Sequence, residues 1–248
     1  MPWALPDSDS ARLALAKAYP FSAPRGSYVF ARGEAHPLTE GTVDPGLFQR
    51  RRPVLAHGSN RSPDQLRRKY GESAVIPVTV GWLEHYDVVY SAHVTQYGAI
   101  ASTLQHVHGV RARVAVTWLT EEQLARMHET EGPSTYRYGH LRGVRLVLDG
   151  APAGTLTDID AYLSSNGCLA RAGEAIGLAA IEAEGRPHPE LSQEAVLLHV
   201  RDRYRPGADL DAMILRKISD KALRQALVEE MRAEAVPAET PHFQEVGR

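Results

Sequence analysis

From Val54 to Ser164 the chain is a succession of short β-favouring runs broken by only two helix-like segments, and nothing else constrains its fold as strongly. Strand-like runs over 54–57, 74–80, 86–91, 98–107, 111–119, 141–148 and 155–164 are rich in Val, Ile, Thr and Tyr. Asp149-Gly150 supplies a hairpin turn between the last two. One helix is predicted from about Ser62 to Tyr70. A second is predicted over 121–130, where Thr120 and Gln123 fit a capping box and Gly132 with Pro133 ends it. Past Asn166 the pattern turns helical. Leu210, Met213, Ile214 and Ile218, then Leu223, Leu227 and Met231, keep a 3.6-residue period. Strands in the middle with helices mostly after them predict an α+β fold around a small, mixed, strongly curved sheet or barrel.

The first fifty residues read as an extension. Asp7 to Ser10 offer caps for a short helix, and GSYVFARGEAHPL fits a small hairpin. The predicted organisation is an extension over 1–50, the principal domain over 51–205, and C-terminal helices packed on it over 206–248. The basic QRRRP at 49–53 reads as a solvated boundary. A formal net charge of -2 gives no reason to expect nucleic acid or a membrane surface as partner. No run approaches the ~18 apolar residues of a membrane helix. Cys168, the one cysteine, forms no internal disulfide, and MPWALPDSDS lacks the form of a signal peptide. These features predict a cytoplasmic chain; oligomeric state is not legible.

The stretch AHGSNRSPDQL (56–66) ends a strand on small polar residues and restarts as a helix. Gly58 lets a ligand approach the backbone, and Ser62 with Pro63 suits a helix start. The free N–H groups of such a first turn suit a carboxylate or phosphate. An ordinary capped strand-to-helix turn explains the same residues. Neither a Walker loop nor a dinucleotide fingerprint is present.

Downstream lie GAIASTLQ (98–105), a strand ending near Trp118, the capped helix, Glu131-Gly132 and Tyr136, then YLSSN (162–166). In this order, and with AHGSN before them, these pieces resemble the γ-glutamylcyclotransferase superfamily over roughly residues 53–200. The resemblance implies a small mixed barrel whose Gly-Ser-Asn turn holds a γ-glutamyl group. It also implies that Glu131 acts as general base and then general acid, without metal or cofactor. The substrate is then a small γ-glutamyl amide, whose own amine attacks its γ-carbonyl to give 5-oxoproline and a free amine or amino acid. By family position His57, Gly58, Ser59, Asn60, Tyr136 and Tyr162 are substrate-binding candidates. Two positions depart from the pattern: His57 replaces an aromatic, and Met127-His128 replaces Leu-Asp.

The chemistry is consistent with the residues. Well-oriented intramolecular ring closure reaches effective molarities of ~10⁵ M or more, leaving mainly proton transfer to be catalysed. One carboxyl can serve both steps if its pKa is lifted toward neutrality. The helix C-terminus and burial are both expected to raise that of Glu131. The 58–60 backbone can bind the substrate carboxylate or steady the γ-oxyanion, with Asn60 alternatively fastening the turn and His57 filling space. His106 and His108 share one strand face, without a third metal ligand in sequence range. Cys168 reads as a small buried residue. Ser59 and Ser102 lack a nucleophile elbow. Two alternatives stay open: hydrolysis or acyl-group removal from a γ-glutamyl-modified metabolite in the same pocket, and a catalytically inactive domain retained for binding or assembly.

Overall fold

The computed structural model describes residues 4–39, 44–132, 135–150 and 153–247. Helix α1 (Asp9–Lys17) starts at Ser8, whose hydroxyl accepts the Ala11 N–H at 3.3 Å. Strands β1 (Tyr28–Ala31) and β2 (Glu34–Pro37) form the expected hairpin, turning on Arg32 and Gly33 at φ 54° and 76°. Then come β3 (Arg52–Ala56), α2 (Pro63–Tyr70), β4 (Ile76–Val94), β5 (Ile100–Leu119), α3 (Glu121–Thr130), β6 (Tyr136–Leu148) and β7 (Gly154–Ser164). Both halves of the Thr120/Gln123 capping box are made. Gly132 follows that helix directly, while Pro133 lies outside the described residues.

β5 pairs with β3, β3 runs parallel to β7, β7 pairs with β6, β6 with β4, and β4 with β5, so five strands close on themselves. The fold is α+β around a curved, barrel-like sheet, as expected. Closure brings the backbone of β6 against Gly81 so tightly that a Cβ there would collide with the Val147 carbonyl oxygen.

The structure corrects several details. The runs at 74–80 and 86–91 are one strand, β4, kinked by a register shift between Glu84 and Tyr86 where His85 takes φ 61°. The runs at 98–107 and 111–119 likewise merge into β5, with Gly109 at φ 83°. Beyond Asn166 the chain does not turn helical at once. It first makes five two-residue strands: β8 (Ala170–Arg171), β9 (Glu174–Ala175), β10 (Gly177–Leu178), β11 (Ala183–Glu184) and β12 (Glu190–Leu191). Only then follow α4 (Gln193–Tyr204), α5 (Leu210–Ser219) and α6 (Lys221–Ala233), and a last strand, β13 (Phe243–Glu245), pairs with β6. The N-terminal residues are built into the sheet, because β1 pairs with β4 and buries Tyr28 and Phe30. Within the basic run, Arg51 donates to the Trp118 carbonyl and to Gln123, and Arg52 pairs with Asp160. Among the described residues, no helix is long and apolar enough to cross a membrane.

Period-two alternation gives the sheet two apolar faces. Leu55, Val114, Val116 and Ile159 pack with α1 and the three C-terminal helices. Val54, Ala56, Val78 and Val80 pack with Leu66 of α2 and with Leu124 and Met127 of α3. Leu66 and Met127 are fully buried, and each such side chain contributes about 1.5–3 kcal/mol. That burial holds both helices on one face and brings their C-terminal turns together. Lys69 is in the last turn of one, and Glu131 caps the other.

Candidate active site

The turn after β3 and the end of α3 meet. Glu131 accepts a hydrogen bond from the Asn60 amide at 2.9 Å and an ion pair from Lys69 Nζ at 2.5 Å. The Lys69 and Glu131 side chains are only 6% and 13% exposed. Residues 71 positions apart in sequence are thereby joined.

Glu131 departs from the electrostatic expectation. Burial pushes its carboxyl up, but the Lys69 ammonium, the Asn60 amide and, less strongly, His57 outweigh burial. The net effect is a pKa below the ordinary glutamate value of 4.5. The carboxylate is held ionised and poised low, not near neutrality.

His57 is buried, and both ring nitrogens are bonded. Nε2 lies 3.0 Å from the Tyr162 carbonyl, and Nδ1 lies 3.1 Å from Ser102 Oγ. A carbonyl only accepts, so Nε2 carries the proton and Nδ1 accepts from Ser102. Burial above all lowers the His57 pKa and favours this neutral form. The chain continues: Tyr19 Oη donates to Ser102 Oγ at 2.7 Å and accepts the Ser102 N–H at 2.9 Å. Rather than filling space, His57 fastens the turn to β5 and β7.

Gly58 is needed for close approach, but what approaches is protein. A Cβ there would lie 2.5 Å from Tyr19 Oη and 2.8 Å from Ser102 Oγ. Ser59 to Arg61 then form one 3₁₀ turn, closed by Arg61 N–H to Gly58 O at 3.4 Å and Ser62 N–H to Ser59 O at 2.9 Å. Ser62 precedes Pro63 at the start of α2, but its hydroxyl makes no cap bond. The Asn60 side chain does more than fasten its own turn. Its Nδ2 reaches Glu131, while its Oδ1 is buried with no hydrogen-bond partner among the described residues.

Around this pair the side chains are aromatic and polar. The Glu131 charge acts on Tyr19, His57, Tyr70, His93, Tyr97 and Tyr136. Burial, the largest cause, pushes Tyr19 up to about 12 and Tyr136 well above the usual phenol range, so both keep their protons. Tyr136 stands edge-on to His93 at 6.1 Å, and burial lowers His93 to about 4. Asn166, from the YLSSN match, donates to His93 Nδ1 at 3.4 Å. Tyr162 sits differently. Its hydroxyl meets His128 Nδ1 at 2.7 Å and its ring packs on Tyr138 at 5.0 Å, so it braces the last turn of α3.

Lys69, Tyr19 and His93 were missed from sequence. Lys69 carries a faint signal, lying in the apolar-periodic α2 four residues after the buried Gln65. Tyr19 carries none, being 83 positions from its partner Ser102. His106, His108 and Cys168 lie elsewhere: His108 stacks on His85 at 4.9 Å, His106 packs edge-on to Tyr86, and Cys168 is buried against Gln105.

The sequence matches no protein-family model and no curated protein. Three solved structures are similar to parts of it. One described as gamma-glutamyl cyclotransferase shares 15% identity, with a TM-score of 0.36, over 46% of this chain and 66% of its own. The solution structure of an Arabidopsis thaliana protein shares 16% identity, TM-score 0.36, over 47% of this chain and 70% of its own. The crystal structure of an uncharacterised Homo sapiens protein shares 12% identity, TM-score 0.39, over 72% of this chain and 99% of its own.

Proposed function

We propose that the chain is a γ-glutamylcyclotransferase-like enzyme that cyclises a small γ-glutamyl amide to 5-oxoproline, releasing an amine or amino acid. The observation that carries this reading is the 2.9 Å bond from Asn60 to Glu131, which unites the two motifs on which the sequence resemblance rests. Glu131 is the proton carrier. Its low pKa sets the order of events: the ionised carboxylate takes a proton from the attacking amine, and the resulting acid, beside Lys69, gives it up readily to the leaving nitrogen. The lone acceptor Asn60 Oδ1 suits a hydrogen bond from the substrate amine. The first N–H groups of the 59–61 turn suit its carboxylate or the γ-oxyanion.

Purified protein is to be incubated with a panel of γ-glutamyl amides and the products weighed. Release of 5-oxoproline, lost in Glu131→Gln, is the expected result. Free glutamate, heavier by one water, would instead mark a hydrolase. The close packing of Tyr19 on Gly58 favours one further reading, a binding domain without turnover. Ligand-induced thermal stabilisation with no product from any amide would select it.

A further inference from the structure

We infer that a second ligand site, for a small oxyanion, lies where β3, β7 and β6 emerge beyond the cover of α2 and α3. A shallow depression of about 320 Å³ is lined there by Arg52, His140, Arg142, Asp158 and Asp160, with Pro53 and Ile159 between them. None of these residues belongs to the Glu131 site. His140 and Asp160 are direct partners across the β6–β7 ladder, and Arg142 follows on the face of His140.

Asp160 organises the site. Its side chain is 7% exposed and takes three donors: Tyr138 Oη at 2.5 Å, His140 Nδ1 at 2.6 Å, and Arg52 Nε at 3.2 Å. A carboxylate only accepts, so His140 carries its proton on Nδ1, and its ring is fixed with Nε2 directed away from Asp160. The terminal nitrogens of Arg52, the Arg142 guanidinium and His140 Nε2 make no hydrogen bond among the described residues. Asp160 is held by these three donors, and the groups left over border the same depression. Two guanidinium forks match the oxygens of a phosphate or carboxylate group, and the His140 ring, fixed by Asp160, borders the same depression and reports on it. Of the two lining carboxylates Asp158 is the exposed one; it is bonded to Thr157 and lies opposite Arg142 in the β6–β7 register.

The test is titration of the full chain with inorganic phosphate and separately with acetate, following the His140 ring protons by NMR, with sodium chloride at matched ionic strength as control. Saturable movement of the His140 signals by either anion and not by chloride is expected; the tighter of the two identifies the phosphate or carboxylate class. Arg142→Ala, at an exposed position, should weaken that binding at least fivefold, and Asp158→Asn should tighten it about threefold. Turnover at Glu131 should be unchanged in both variants. Non-saturable shifts, or identical anion dependence in wild type and Arg142→Ala, would overturn the assignment.

Discussion

Replacing Lys69 with Met removes one charge from a buried pair and keeps most of the side-chain volume. In the native protein Nζ lies 2.5 Å from Glu131 Oε1, with both side chains nearly sealed from water. Two unit charges about 4 Å apart attract by about 4 kcal/mol at an effective dielectric of about 20. Losing one partner of a buried pair costs about 3–5 kcal/mol, because the other is left uncompensated. Lys69→Met should therefore lower stability at pH 7 by about 3–5 kcal/mol, or roughly 10 °C in Tm for a chain of this size. The pH dependence is diagnostic. Glu131 in the native protein lies below its ordinary value, so it adds stability above pH 4.5 that is lost as pH falls through its folded pKa. Without Lys69, burial dominates and raises the carboxyl, so the penalty is greatest at neutral pH and is relieved by protonation. Urea unfolding at several pH values measures this directly. The gap between the two proteins should be widest near neutrality and should shrink below pH 4.5. A variant as stable as wild type at pH 7, or a gap that does not narrow in acid, would refute the electrostatic assignment.

Three further outcomes follow from the packing. Gly58→Ala places a methyl against Tyr19 Oη and Ser102 Oγ and should cost about 1–3 kcal/mol. Removing the Tyr19 hydroxyl in the same chain should recover part of this, as a double-mutant cycle will read. His57→Phe strands the Tyr162 carbonyl and the Ser102 hydroxyl, a loss of about 2 kcal/mol measurable by chemical denaturation. Arg186→Met leaves the fully buried Asp87 without its forked partner, whose Nε and Nη2 both lie 2.9 Å from it, and should cost about 3–5 kcal/mol by the same assay.

What the sequence made legible was local. The capping box at Thr120 and Gln123 and the start of α2 at Pro63 depend on neighbours within a few residues, and both formed as read. The lengths of β4 and β5 were hidden because the kink at His85 and the turn in direction at Gly109 look like chain breaks, although pairing continues around them. β8 to β13 were invisible: each is two or three residues long, with too little pattern of its own to register, and all but the β8–β9 pair depend on partners farther away in the chain. At the site, Glu131 and the 57–60 turn stood out by motif, yet the direction of the Glu131 shift was misjudged. Burial and the helix end were readable, whereas Lys69, which together with Asn60 and His57 outweighs burial, sits 62 positions away and arrives only through the packing of α2 against α3. The same limit hid Tyr19, an N-terminal residue that fills the space beside Gly58.

Soaking crystals of the protein with 5-oxoproline probes the assignment of this site at atomic level. The account predicts density for the lactam beside Asn60, its carboxylate on the N–H groups of the 59–61 turn and its ring nitrogen within hydrogen-bond distance of Glu131. A lactam bound elsewhere, or an Asn60–Glu131–Lys69 cluster unchanged and out of reach at saturating ligand, would contradict it.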